Sequence, residues 1–133
     1  MRKGEVGMQL NVVHHVAIIV SDYEKSREFY VEKLELPIIR ENYRESRDDY
    51  KLDLQVGNIE LEIFGVKNPP ARVTNPEARG LRHLAFKVDD IEEAVKWLNA
   101  KGIETEPIRF DEYTQKRMTF FRDPDDLPLE LHE

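Results

Sequence analysis

At 133 residues the chain fits one domain and leaves little room for a second. Its 40% hydrophobic content can supply a core despite 35% charged residues, which argues against a disordered chain. A net charge of −7 argues against general binding to nucleic acid or an anionic membrane, and the absence of cysteine removes disulfides, thiol nucleophiles and thiolate metal sites together.

Residues 1–10 carry Arg2 and Lys3 with no apolar stretch behind them, so they read as an N-terminal extension rather than a signal peptide. Residues 12–20 form an apolar, β-branched run, which predicts a largely buried strand and is far too short to span a bilayer. A cytoplasmic location is the default expectation. Ser21 or Asp22 can cap a helix that runs through Leu34 with Phe29, Tyr30 and Leu34 turned inward. Pro37 lies just past it, where helices commonly stop. Strands are then predicted over 38–43, 50–56 and 59–64, with Gly57-Asn58 as a tight hairpin turn. A Pro-, Asn- and Arg-rich stretch, 67–79, reads as a linker.

The same order then recurs. A strand is predicted over 84–88, and Asp90-x-x-Glu93 forms a capping box before a helix with Ile91, Ala94, Val95 and Leu98 on one stripe. Gly102 is expected to end that helix in a left-handed conformation. Strands are predicted over 104–110, 117–122 and 127–132. Two β-α-β-β-β repeats, 11–66 and 80–133, thus make a single domain over 11–133. Each is too small to bury a core alone, so they are expected to share one.

The repeat is also in register. His15 to His83, Asp22 to Asp90, and Glu62 to Glu130 are each 68 residues apart. Alone, each His is more often an ordinary residue at a strand start, and each Glu a solvent-facing member of an alternating strand. At one common offset the four form a candidate metal set. Two imidazoles and two carboxylates suit zinc, nickel, cobalt, manganese or iron(II), and leave positions open on an octahedral ion. Glu60 competes with Glu62 by parity, but the repeat pairs it with Pro128. His14 has Arg82 as its repeat partner, and His132 has Phe64, so neither joins the set.

The segments His15-Val-Ala-Ile-Ile-Val-Ser-Asp22, Leu61-Glu62-Ile63, Gly80-Leu-Arg-His83-Leu-Ala-Phe86 and Asp123-Pro-Asp-Asp-Leu-Pro-Leu-Glu130-Leu131 resemble the glyoxalase-I-like branch of the vicinal oxygen chelate superfamily. The resemblance runs from about Asn11 to the end. It implies an α+β fold of two tandem β-α-β-β-β modules forming a curved mixed sheet around a metal site, the glyoxalase, bleomycin resistance and dihydroxybiphenyl dioxygenase fold. It implies one divalent ion on His15, Glu62, His83 and Glu130, no organic cofactor, and a homodimer in which the modules pair within one chain or swap between chains. Asp126 departs from the family, which usually has Gly there for a turn with positive φ.

By the same resemblance the chain is expected to be a metal-dependent lyase or isomerase of the lactoylglutathione lyase type. Such an enzyme acts on a small substrate with vicinal oxygens through an enediolate-type intermediate, with Glu130 as the base and Glu62 on the other face. Arg44, Arg47, Tyr113, Lys116 and Arg117 are candidate substrate contacts, although a solvated charged surface explains each of them alone. The alternatives are a metal-dependent epimerase, a thiol-adding resistance enzyme, or a metal-free module that binds a small ligand. An iron(II) dioxygenase would use two His and one carboxylate, so a fourth ligand argues against it.

Overall fold

The computed structural model describes residues 7–133; residues 1–6 of the expected N-terminal extension lie outside the described residues. The first strand, β1 (His15–Val20), is shorter than the apolar run that predicts it. Asp22 then caps α1 (Tyr23–Arg27), its carboxylate accepting from the Lys25 N–H at 3.1 Å. The expected single helix does not continue as α-helix. Glu28–Lys33 winds as a π-helical segment, closed by the Leu34 N–H bonding the Phe29 carbonyl five residues back. The wider turn still seats Phe29 and Tyr30 in the core.

Strands β2 (Ile38–Arg44), β3 (Asp49–Val56) and β4 (Ile59–Gly65) complete the first sheet. Its order is β1-β4-β3-β2, with β1 parallel to β4 and the other pairs antiparallel. Gly57 makes the β3–β4 turn with φ +55°, a conformation costly for any residue with a Cβ.

The second sheet repeats this. It comprises β5 (Leu84–Lys87), β6 (Arg109–Phe110), β7 (Arg117–Arg122) and β8 (Pro128–His132) in the order β5-β8-β7-β6, with β5 parallel to β8. Between β5 and β6 runs α2 (Ile91–Ala100), capped by Asp90, whose carboxylate accepts from the Glu92 and Glu93 N–H groups. Gly102 ends it with φ +79°, as expected. The predicted strand over 104–110 is reduced to two residues. Pro107 has no N–H to give the ladder, and the Thr119 hydroxyl takes up the Glu106 carbonyl at 2.6 Å.

Alternation along the strands gives each sheet one apolar face. Ile18, Val20, Leu52, Leu54, Leu61 and Ile63 come from the first sheet, and Phe121, Leu129 and Leu131 from the second. With Phe29, Tyr30, Ile91 and Leu98 of the helices they form one continuous core. Each such leucine contributes about 1.5–3 kcal/mol by leaving water. Polar links also join the repeats. Buried Tyr30 donates its hydroxyl to Asp123 Oδ2 at 2.6 Å, while Asp123 Oδ1 accepts from the Asp125 and Leu127 N–H groups at 2.9 and 2.8 Å. The Ser21 N–H donates to Asp125 at 3.1 Å, and Lys101 donates to the Lys33 carbonyl and Glu35. The Asp-Pro-Asp turn of one repeat thereby grips the helix start of the other. Among the described residues no helix is long and apolar enough to cross a membrane.

Candidate functional site

The sheet faces turned away from the core carry the candidate site residues. In the first sheet the exposed parity collects His15, Ala17, Glu60, Glu62, Asp53, Lys51 and Arg40. Glu62 stands opposite Ala17, two residues past His15. In the second sheet Glu130 stands opposite Ala85, two residues past His83. The same ladder step therefore sets both pairs. His15 Nδ1 lies 3.7 Å from Glu62 Oε2, and His83 Nε2 lies 3.1 Å from Glu130 Oε1. Both carboxylates are well covered and both imidazoles face outward, with the His15 side chain 44% exposed and that of Glu130 only 9%.

The four residues are not brought to one point within the chain. The sheets share no strand pairing, and His15–Glu62 and His83–Glu130 stand as two separate pairs. Among the described residues, the group of three metal-type side chains within reach of one another is Asp53, Glu60 and Glu62. That group is laced with cations. Arg40 bonds Asp53 at 2.7 Å and Glu60 at 2.5 Å, and Lys51 bonds Asp53 at 2.8 Å while standing 3.7 Å from Glu62.

The second pair lies in a concavity of about 620 Å³ lined by His83, Glu130, Phe120, Arg109, Arg122 and Glu106, among others. Phe120 meets His83 edge-on and supports the Arg109 guanidinium on its ring, so one aromatic wall joins the His–Glu pair to a cation. His132, on the same face, faces Asp111 at 3.2 Å. The Tyr113 N–H and then the His132 contact hold the Asp111 carboxyl below its usual range.

The expected substrate contacts are scattered. Arg44 shares the His15–Glu62 face of the first sheet, bonded twice to Asp49 and resting on the Phe64 ring. Its hydrogen bond to Asp49 pushes the guanidinium pKa up and the Asp49 pKa down. Arg47 is exposed in the β2–β3 turn, and Tyr113 and Lys116 are exposed in the β6–β7 loop. Arg117 lies on the other face of β7, tied to Glu133 and Glu92. Sequence reasoning missed Arg40, Lys51, Asp53, Arg109 and Arg122. The acidic Asp53 between two core leucines was the signal for the first three. Asp126 adopts φ +63°, so the turn keeps the conformation that Gly usually supplies.

The sequence model of the Glyoxalase/Bleomycin resistance protein/Dioxygenase superfamily matches residues 12–131. The chain belongs to this superfamily. Its paired β-α-β-β-β architecture is that of other superfamily members. The crystal structure of a glyoxalase family protein from Enterococcus faecalis is 58% identical, covers 95% of this chain and 100% of that one, and superposes with a TM-score of 0.89. The uncharacterized protein YwkD of Bacillus subtilis is 59% identical over 95% of this chain and 99% of its own. Superfamily relatives with an activity in their names are more distant. The metallothiol transferase FosB of Staphylococcus saprophyticus is 29% identical over 90% of this chain and 75% of its own. The lactoylglutathione lyase of Schizosaccharomyces pombe is 27% identical over 90% of this chain and 46% of its own.

Proposed function

We propose that the protein is a divalent-metal-dependent lyase or isomerase of the glyoxalase I type, acting as a homodimer on a small molecule with two neighbouring oxygens. The observation that carries this reading is the matched pair of half-sites, each a His and a Glu set by the same ladder step. The donors fit the ion. Separations of 3.1 and 3.7 Å are close to the ~3 Å between adjacent donors around a metal with ~2.1 Å bonds.

Each half-site lies at an outer edge of its sheet, since β1 and β5 are edge strands. A second copy that sets its His83–Glu130 edge against this chain's His15–Glu62 edge completes the four-ligand set. Exposed apolar side chains near the first edge support such a cover, with Ile19 63% and Val73 53% exposed. A divalent ion held there would supply Lewis acidity to the two substrate oxygens. Glu130 would accept the carbon-bound proton and return it to the adjacent carbon. Among the described residues its carboxylate pairs with the His83 imidazole alone, whereas Glu62 also has the Lys51 ammonium beside it.

The test is to load purified protein with Ni²⁺ and screen hemithioacetals and α-hydroxycarbonyl compounds for isomerisation with solvent deuterium uptake. Glu130→Gln should cut turnover at least ~100-fold. A variant that keeps both its metal and full activity overturns the assignment. A second reading, addition of a thiol to a small molecule, draws on the likeness to FosB. It predicts turnover only when a thiol is supplied.

A further inference from the structure

The first sheet offers two glutamates to the metal, and the ladder alone does not choose between them. Glu60 is the direct Cα partner of His15, while Glu62 is the partner of Ala17. Both side chains share the functional face, and both carboxylates lie in one cluster with Asp53.

We propose that Arg40, Asp53 and Lys51 form a charge relay that withdraws Glu60 from the metal and reserves Glu62 for it. The chain of contacts alternates in sign along the sheet. Glu60 is held by Arg40 at 2.5 Å, Arg40 by Asp53 at 2.7 Å, and Asp53 by Lys51 at 2.8 Å, with the ammonium ending 3.7 Å from Glu62. Asp53 is the fixed point. It is only 1% exposed, and a carboxylate buried that far is held in place by its two cations. It lies in one cross-strand row with Arg40, Glu62 and Ala17.

The five charges of this chain of contacts, Glu60, Arg40, Asp53, Lys51 and Glu62, leave one negative charge over. Arg40 is committed to Glu60 and Asp53 at hydrogen-bonding distance, whereas Lys51 only approaches Glu62. The surplus therefore resides on Glu62, beside His15. A divalent cation meets Glu62 beside His15 with only the more distant Lys51 ammonium near it, and finds Glu60 occupied by a guanidinium. The second sheet needs no such relay. Phe120 takes the place opposite Glu130 that Asp53 takes opposite Glu62, and the position two residues before Glu130 is Pro128. Arg40, Asp53 and Lys51 are thus positioning residues that act through Glu62 without touching the ion.

The inference rests on the metal-binding reading above, and calorimetric titration with Ni²⁺ separates the two. In the natural chain, Glu62→Gln should weaken Ni²⁺ binding more than ~100-fold, beyond the loss of an outer-shell partner, and Glu60→Gln should change it by less than ~3-fold. In an Arg40→Met background Glu60 is released opposite His15. There, Glu62→Gln should weaken binding less than ~10-fold, and adding Glu60→Gln should abolish what remains. Arg40→Lys should restore the natural dependence on Glu62, a rescue that a merely structural role would not give. If the natural chain binds Ni²⁺ but Glu62→Gln is equally damaging with and without Arg40, the relay is refuted and the metal site stands. Equal sensitivity to Glu60→Gln and Glu62→Gln in the natural chain also refutes it. No Ni²⁺ binding by the natural chain overturns both.

Discussion

Replacing Tyr30 with Phe removes one oxygen atom from the middle of the molecule. Tyr30 is fully buried and its hydroxyl reaches Asp123 Oδ2 at 2.6 Å, while the other Asp123 oxygen takes the Asp125 and Leu127 N–H groups. Without the hydroxyl, Oδ2 has no partner among the described residues, in a site that is 6% exposed. Loss of a buried bond to an ionisable acceptor costs about 2 kcal/mol. Spread over the unfolding entropy of a chain this size, that is a fall in Tm of about 7 °C. The fall should depend on pH. Burial already raises the Asp123 pKa, and the Tyr30 hydrogen bond opposes that rise. A raised folded-state pKa gives stability that is complete below the unfolded value and lost as pH climbs through the folded one. Tyr30→Phe raises the folded pKa further, so the Tm gap between variant and parent should widen from pH 4 to pH 7. Calorimetric melts across that range check it. A gap under ~2 °C at pH 7, or one that does not grow with pH, refutes the assignment of this contact as a stabilising bond between the repeats.

The C-terminal Glu133 is pushed down to about 2, first by Arg117 and then by the Ile91 N–H at the start of α2. A depressed carboxylate stabilises above its unfolded value and loses that effect as pH falls, so Glu133→Gln should lower Tm at pH 7 and the deficit should fade toward pH 2–3. Asp126→Gly should be neutral or slightly stabilising, within ~1 kcal/mol by urea titration, because a left-handed φ costs Asp about that much more than Gly. A loss above ~2 kcal/mol would mean that its contact with Arg122 matters more than its backbone.

Much of the fold was legible in the sequence because the duplication is regular. A common offset of 68 residues reflects the same strand register in both sheets, with Glu62 opposite Ala17 and Glu130 opposite Ala85. Other features depend on terms that a pattern does not carry. Residues 28–33 have ordinary helical periodicity, and only the observed bonding makes that turn a π-helix. Pro107 could have shortened the strand predicted over 104–110, since a missing N–H is visible in sequence. Arg117 was harder to place. In Arg-Met-Thr-Phe-Phe-Arg both parities are partly apolar, so the core face of β7 is fixed by its neighbours rather than by its own alternation. The repeat already assigns His15 and Glu62 to one module and His83 and Glu130 to the other, but spacing along a chain says nothing about which copy of a sheet faces which.

On the proposed reading each sheet carries half a ligand set, so damage to the two halves is separable. A chain stripped of His15 and Glu62 still presents His83 and Glu130 on an intact second sheet, and the reverse holds for a chain stripped of the latter two. Two variants that are each inactive alone would, when co-expressed, rebuild one whole site in every mixed pair. A centre assembled within a single chain allows no such rescue. If the site is assembled between two chains as proposed, intersubunit complementation is its genetic signature.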